Sequence, residues 1–336
     1  MSGIYYFEKR YEDMASNTTD ETTYEADDTS SDYEEHKLIA PQAAPRKYTI
    51  VYKNIFIIAY LHLAAAYGVY LCITSAKWQT LLFSYLCYVA ATIGVTAGAH
   101  RLWSHKSYKA KFPLQVILII FLSLAHQKAT SWVRDHRLHH KHSDTDADPH
   151  NATRGFFYSH MGWLFVKKHS EVYKRGKKID LSDLYANPII KFQHQYASWI
   201  LPTTCFGLPM LIPVIFWNET LYNSFHLTIM RVVINFHVFF LINSAAHMWG
   251  NKPYDQFILS TESNTVSLVT LGEGYHNYHH VFPWDYRCTE IRSSLFNYTR
   301  AFIDFFAWIG WAYDLKVASN EIVKKRAVRT GDGSIQ

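Results

Sequence analysis

Four stretches of this chain are so long and apolar that they restrict it to a membrane. They cover residues 55–74, 81–99, 197–217 and 221–246, and the first of them holds no formally charged side chain. A helix of about 20 apolar residues matches the thickness of a bilayer core. Lipid offers no partners for free backbone groups, so each stretch must satisfy them internally as a helix. The sequence therefore predicts an all-α integral membrane protein with four transmembrane helices.

Residues 112–125 form a fifth apolar stretch, which at 14 residues is short for a span and favours a re-entrant or interfacial helix. With four spans, residues 1–54, the loop 99–196 and the region after residue 246 share one side of the membrane. That loop alone carries 16 of the 33 Lys and Arg residues, and cytosolic loops are enriched in both. We therefore expect the loop and both termini to lie in the cytosol. A fifth crossing would split the histidine clusters described below between the two sides.

The two ends of the chain differ in charge. Residues 1–37 hold 11 acidic and three basic side chains, which leaves 17 acidic and 30 basic side chains in the rest. Low hydrophobicity and high charge predict that residues 1–47 are a disordered acidic tail. Residues 48–320 form the predicted membrane-integral domain, and residues 321–336 a basic C-terminal tail. This excess of basic side chains outside the tail favours binding to membrane lipid or to a phosphate-bearing substrate. Binding to nucleic acid is less favoured, because no basic patch is separable from the spans.

Histidine, with 19 copies, is the residue type that points most directly to chemistry. Three clusters stand out, namely HRLWSH at 100–105, HRLHH at 136–140 and HNYHH at 276–280. The HxxHH spacing places three imidazoles on one face of a helix, where they can converge on a metal. One such cluster could arise by chance in a chain this rich in histidine, but three on one predicted side indicate a metal site. The eight cluster histidines are His100, His105, His136, His139, His140, His276, His279 and His280.

Eight imidazoles are too many for one ion, so two ions with about four imidazoles each is the economical interpretation. A structural zinc site closes with four ligands that often include cysteine, and none of the four cysteines lies in a cluster. Neutral nitrogen ligands leave a metal electrophilic, which suits oxygen activation. A non-catalytic membrane metal-binding protein remains an alternative, although a transporter would need ionisable ligands within its spans.

Longer motifs around the clusters resemble one known family. HRLWSH, WVRDHRLHHKHSDTDADPH, NSAAHMWG and GEGYHNYHHVFPWDY are similar to sequences of integral-membrane acyl-CoA desaturases, particularly insect and moth-type enzymes of pheromone synthesis. The resemblance runs from about residue 48 to residue 334. It implies a cytosolic helical cap that holds a di-iron site. The implied reaction is the O2-dependent insertion of a double bond, at the ninth or eleventh carbon, into a saturated fatty acyl-CoA.

The same resemblance implies roles for individual residues. Family members use nine histidines at the iron pair, which adds His247 from NSAAH, a residue that spacing alone marks as packing. Asn243 would reach a metal through water. The CoA moiety would be bound by polar and basic groups on the cytosolic face. The matching positions are Asn54, Arg134, Asp135, Lys167 and Lys168.

Partners and location also follow from the resemblance. Electrons would come from NADH through cytochrome b5 and its reductase, because the chain has no glycine-rich nucleotide motif and no fused haem domain. The protein would lie in the endoplasmic reticulum membrane. Acidic residues near the clusters are expected to orient the imidazoles. The candidates are Asp135, Asp144, Asp148 and Glu273.

Two departures from the family pattern bear on specificity. Residues 125–132 are one residue shorter than their usual counterpart and include His126, and His142 replaces a frequent aromatic residue. Because residues 125–132 should lie near the acyl entrance, chain length and double-bond position stay open. The same scaffold also supports fatty acyl hydroxylation, acetylenation and conjugated-diene formation, which are the alternative activities.

Overall fold

The computed structural model describes residues 47–289 and 297–334. Four helical segments are long and apolar enough to cross a membrane, which confirms the four predicted spans. They are Tyr52–Thr74, Trp78–Ser104, Ala197–Trp217 and Leu221–His247. Apart from Lys47, the predicted acidic tail lies outside the described residues.

Helices make up nearly all regular structure in the described ranges. In chain order they are α1 (Tyr52–Thr74), α2 (Trp78–Ile93), α3 (Phe112–Leu124), α4 (Ala129–Lys141), α5 (Phe156–His160), α6 (Ser170–Gly176), α7 (Ser182–Ala186), α8 (Pro188–Gln195), α9 (Ala197–Pro202), α10 (Leu208–Trp217), α11 (Leu221–Asn243), α12 (Asn264–Val269), α13 (His276–Val281), α14 (Tyr298–Trp308) and α15 (Asn320–Thr330). Two short antiparallel strands, β1 (Lys109–Ala110) and β2 (Ala312–Tyr313), pair Lys109 with Tyr313 and Ala110 with Ala312.

Helices α1 and α11 pack along each other through small residues. A Cβ atom added to Gly68 would lie 2.7 Å from the carbonyl oxygen of His226, so only glycine permits this separation. Ala64 and Ala65 of α1 pack beside Ile229 and Val233 of α11. Close packing of this kind holds membrane helices together, since lipid provides no hydrophobic drive for their association.

Beyond Ile93, α2 continues as a π-helical segment, Gly94–Ser104, which is buried throughout. A Cβ atom on Gly94 would overlap the backbone of Phe121 and Leu122, so this glycine lets α2 and α3 approach closely. In a π-helix the hydrogen bonds join residues five apart, and such segments occur often at functional sites. This geometry matters for the first histidine cluster, whose two histidines are five residues apart.

Helices α3 and α4 meet at a bend of 85°. His126, in the left-handed conformation with φ of 56°, ends the helical path. The buried side chain of Gln193 satisfies backbone groups at this break: its oxygen accepts from the amide of Ala129 at 2.9 Å, and its amide donates to the carbonyl of Gln127 at 3.1 Å. Arg231 donates to the carbonyl of Leu124 at 2.9 Å. Side chains therefore supply the partners that lipid cannot provide.

The region predicted as a basic C-terminal tail contains α15, which packs on the domain. Val323 belongs to a buried cluster with Tyr254, Tyr278 and Phe282. Arg326 forms an ion pair with Asp255 at 2.5 Å. These contacts tie α15 to α13, which carries the third histidine cluster.

Candidate metal centre

The π-helical segment explains the spacing of the first cluster. The amide of His105 donates to the carbonyl of His100 at 3.2 Å, a bond between residues five apart. The two imidazole rings consequently share a face, with their centroids 5.0 Å apart. An ordinary α-helix would have turned His105 about 140° away from His100.

The second and third clusters lie on α4 and α13, and each is divided between two groups of rings. On α4, His136 and His140 point to one group and His139 to the other. On α13, His279 joins the first group, whereas His276 and His280 join the second. His140 and His280 stack with their ring centroids 4.4 Å apart, which brings the two groups side by side.

His247 completes the second group. It ends a short 3-10 turn, Ala245–His247, that follows α11. Its Nε2 atom lies 3.0 Å from Nε2 of His276. The nine histidines therefore form one group of five and one of four. The five-histidine group comprises His100, His105, His136, His140 and His279; the four-histidine group comprises His139, His247, His276 and His280.

The spacing of the ring nitrogens fits two metal ions. Nitrogen ligands about 2.1 Å from a common ion lie on the order of 3 Å apart when they occupy neighbouring positions. Nε2 atoms in the five-histidine group are separated by 2.9 Å between His100 and His279, and by 2.8 Å between His105 and His136. In the four-histidine group, His139 and His280 are 3.3 Å apart. Each group can therefore hold one ion through nitrogen donors.

Buried or half-buried carboxylates hold the outer nitrogen of three of these rings. Nδ1 of His100 donates to Glu273 at 2.8 Å, Nδ1 of His139 to Asp148 at 2.9 Å and Nδ1 of His247 to Asp144 at 3.1 Å. A proton fixed on Nδ1 leaves the Nε2 lone pair directed into the group, which is the tautomer that a metal requires. Three of the four acidic residues predicted to orient imidazoles are confirmed in contact with them.

The charges around Glu273 and Asp148 keep both carboxyl groups ionised. Burial alone would raise the pKa of Glu273, but Arg101 and His100 hold that pKa at about 2. Burial likewise acts to raise the pKa of Asp148, yet contact with His139 holds it well below its usual range. Each is thus a permanent acceptor for the ring beside it.

Several of the rings are kept neutral. His139 is an exception, because burial acts to lower its pKa but contact with Asp148 raises it. Burial, followed by repulsion from neighbouring rings, lowers the pKa of His276, His279 and His280 well below the usual value. The same causes lower the pKa of His105. Neutral imidazole is the form that binds metals.

A cavity of about 1020 Å³, counting its open end, runs along both groups. Its polar part includes Asp135, His150 and Asn243, and its apolar part includes Phe236 and Phe239. Asn243 lines the same cavity as His139 and His276, and its reach to a metal through water stays a prediction. The stretch 125–132 contributes Gln127, Ser131 and Trp132 to the wall of this cavity.

Of the residues predicted to bind CoA, Asp135 lines this cavity, and Arg134 and Lys168 contact its carboxylate. Asp135 accepts from Lys168 at 2.6 Å and from Nη2 of Arg134 at 2.7 Å. Asn54 donates to the carbonyl of Leu164 at 2.7 Å, and Lys167 is exposed on the same segment. The expectation that Asp135 orients an imidazole is wrong in this structure, because two cations occupy its carboxylate.

Several contacts of the site have no signal in the histidine spacing. Arg101 is fully buried and binds Glu273, which in turn holds His100. Cys288 contacts Nδ1 of His279 at 3.5 Å. Each contact joins residues that are distant in sequence, so only the tertiary fold reveals it.

Three histidines outside the nine form a hydrogen-bonded chain. Nε2 of His237 lies 2.9 Å from Nε2 of His62, and its Nδ1 lies 2.9 Å from Nε2 of His160. His160 also contacts the hydroxyl of Ser244 at 2.9 Å. These rings link α1, α5 and α11.

The site also determines how many times the chain crosses the membrane. His100 lies at the end of the second span and His247 at the end of the fourth. Both contact α13, His100 through His279 and His247 through His276. Two crossings separate them, so the bent pair α3–α4 adds none. The chain is a multi-pass membrane protein, and its two histidine groups lie on a single side of the membrane.

Comparison with known proteins finds one matching family and several similar proteins. A family model described as "Fatty acid desaturase" matches residues 76–302, more than half of the chain. The chain is 60% identical over 298 residues to an acyl-CoA Delta(11) desaturase of Trichoplusia ni, covering 88% of this chain and 85% of that protein. It is 55% identical to a (11Z)-hexadec-11-enoyl-CoA conjugase of Bombyx mori, covering 94% of this chain and 95% of that protein. An acyl-CoA Delta-9 desaturase of Acheta domesticus is 52% identical, with 88% and 84% covered.

Proposed function

This chain belongs to the fatty acid desaturase family, and we propose that it is an acyl-CoA desaturase, an oxidoreductase that inserts a double bond into a saturated fatty acyl chain. The observation that carries the proposal is the convergence of nine buried or half-buried imidazoles, in groups of five and four, along one cavity. The ninth and eleventh carbons are the proposed positions, because relatives named for both are more than half identical to this chain.

We propose two iron ions as the cofactor. The five-histidine group would hold one ion and the four-histidine group the other, with Asn243 reaching the second through water. The donor set supports iron over structural zinc, because nine imidazole nitrogens exceed the four ligands at which a structural zinc site closes. When bound, the iron pair supplies the oxygen-activating chemistry needed to remove hydrogen from unactivated carbon.

The side chains of this protein bind and place the substrate. Arg134 and Lys168 present cations for the phosphates of CoA, and Asp135 holds both in position. Lys167 and Asn54 extend this polar surface. The acyl chain would pass both histidine groups and end between Phe236 and Phe239. Trp132, stacked on His136 with centroids 4.8 Å apart, restricts which methylenes lie beside the metals.

The overall reaction requires two electrons from outside the substrate. Two hydrogens from adjacent methylenes, two donor electrons and two protons convert one O2 into two waters. We propose NADH, through cytochrome b5 reductase and cytochrome b5, as the electron source. The proposed location is the endoplasmic reticulum membrane with both termini cytosolic, supported by the basic loops on the side of the metal centre.

Expression in a yeast strain that lacks its own desaturase tests this function. We expect new monounsaturated acyl chains, whose double bonds are located by mass spectrometry after derivatisation. His139→Ala and His279→Ala, one from each group, should abolish both product and bound iron while the protein still inserts. His194→Ala is the matched control, because this ring contacts Thr130 and lies outside both groups. Full activity of either ligand variant contradicts the assignment.

A second activity, conjugated-diene formation, is favoured by the similarity to the Bombyx mori conjugase. A conjugase acts on a chain that already carries one double bond. Feeding the same yeast a monounsaturated acid therefore separates the two activities. A conjugated diene as the only new product would replace simple desaturation by this alternative, and a hydroxylated or acetylenic product would point to the other same-scaffold reactions.

A further inference from the structure

The outer nitrogen of His279 has an unusual partner. His100, His139 and His247 each donate Nδ1 to a carboxylate. Nδ1 of His279 instead lies 3.5 Å from the sulfur of Cys288. Both side chains are buried, with 2% of each residue exposed, so water does not compete for this contact.

The hydrogen bonds of Cys288 assign the direction of the contact. Its thiol donates to the carbonyl of Asp285 at 3.6 Å, and its own amide donates to the same carbonyl at 3.1 Å. With the thiol proton directed to that carbonyl, the sulfur faces His279 with a lone pair, and this is the arrangement that metal binding by Nε2 requires. His279 must then carry its proton on Nδ1, which leaves Nε2 free to bind a metal.

The loop that presents Cys288 is held from two directions. Buried Arg101 donates to the carbonyl of Tyr286 at 2.8 Å and to the carbonyl of Arg287 at 3.2 Å. Asp285 accepts from Arg287 at 2.6 Å. Cys288 itself is in the left-handed region, with φ of 52°, a conformation that costs free energy for most residues. The surrounding contacts thus hold the sulfur in place against a local backbone preference.

We propose that Cys288 is a positioning residue for His279 and that it makes the two metal positions electronically unequal. A neutral thiol is a weak acceptor, so His279 donates less electron density to a metal than a ring bonded to a carboxylate does. The four-histidine position has two carboxylates behind it, Asp144 and Asp148. The five-histidine position has Cys288 and Glu273, and Arg101 partly neutralises Glu273. The five-histidine position is consequently the more electron-poor of the two.

This inference rests on the proposed iron pair, and the purified iron-loaded protein tests it. Cys288→Ala removes the acceptor, Cys288→Ser keeps a neutral one, and Cys288→Asp supplies a carboxylate like those behind His100, His139 and His247. We expect the Ala variant to lose one of its two irons to a chelator about tenfold faster, and the Ser variant to restore the wild-type rate. The Asp variant should shift the Mössbauer signal of one iron only. Cys87→Ala, which removes a buried thiol from α2, is the matched control.

The outcomes separate this inference from the proposed function. A wild-type protein that binds no iron defeats the proposed function itself. Two irons in the wild type, with unchanged chelation rates in the Ala variant, overturn only the role of Cys288. If the Ala variant does not fold, the Ser and Asp variants decide. Identical spectra for wild type, Ser and Asp then refute the unequal electronic environment.

Discussion

Glu273 lies 2.8 Å from Nδ1 of His100, and both residues are about 5% exposed. The same carboxylate accepts from Nη2 of Arg101 at 2.8 Å. Two consecutive residues of the π-helical segment therefore reach one acceptor on a distant loop. This shared carboxylate fixes the tautomer and the direction of His100, because Arg101 holds it rigidly against the ring.

Glu273→Gln tests this relationship. The amide keeps the size of the side chain but loses its charge, and its NH2 group can be turned toward His100. We expect iron affinity at the five-histidine group and turnover to fall by about 10- to 100-fold. Iron content and product formation in purified protein measure both effects.

Glu219→Gln provides the control for loss of a buried carboxylate. Glu219 is 3% exposed and accepts from the hydroxyl of Thr80 at 2.7 Å and from the amide of Lys77 at 2.9 Å, at the other end of the spans. This variant should lower thermal stability yet leave iron content unchanged. Equal iron loss in the two variants would mean that Glu273 acts through general stability alone.

How far the site follows from the sequence differs from ligand to ligand. The HxxHH spacing alone predicts that His136, His139 and His140 share a helical face. It cannot predict that His139 belongs to one group and its neighbours to the other, because this division depends on where α13 lies against α4. His247 has no periodic partner in the sequence, and only the 3-10 turn after α11 brings it to His276.

The four spans, unlike the division of the ligands, could be predicted from hydropathy. Each span must satisfy its own backbone in lipid, so its signal is local in the sequence. The bend between α3 and α4 is not local, because Gln193 and Arg231 supply the partners for its free backbone groups. The role expected for Asp135 failed on similar grounds. Nearness to His136 in sequence did not predict that Lys168 would occupy its carboxylate.

Lys168→Ala should weaken substrate binding while leaving the chemistry intact. Lys168 forms an ion pair with Asp135 at 2.6 Å at the polar end of the cavity, where its side chain is 23% exposed. Loss of a charged contact to a CoA phosphate should raise KM for acyl-CoA about tenfold, with kcat little changed. Lys174→Ala is the control, because this lysine lies on α6 with 65% of its side chain exposed. A fall in kcat at unchanged KM would assign Lys168 to the reacting part of the site.

Arg231→Met should destabilise the membrane domain. Arg231 lies near the middle of α11, is 3% exposed, and donates to the carbonyls of Leu124 at 2.9 Å and Cys205 at 2.5 Å. Methionine fills similar space but leaves both carbonyls unpaired in an apolar surrounding, which costs about 2 kcal/mol. We expect the melting temperature of detergent-purified protein to fall by several degrees. The control is Arg329→Met, at an exposed position on α15, which should leave the melting temperature unchanged. An unaltered melting temperature in Arg231→Met would mean that water or lipid replaces the arginine.

The proposed orientation predicts opposite labelling of two engineered cysteines. Lys77 lies in the short connection between α1 and α2, and Lys325 lies on α15 with 74% of its side chain exposed. Since the spans place the metal centre and α15 on one side of the membrane, these lysines face opposite compartments. In sealed microsomes a membrane-impermeant maleimide should modify Lys325→Cys at once, and Lys77→Cys only after permeabilisation. The native thiols are buried or half-buried, so the unmodified chain measures the background. The reverse pattern would put the metal centre in the lumen, where a cytosolic electron donor could not reach it.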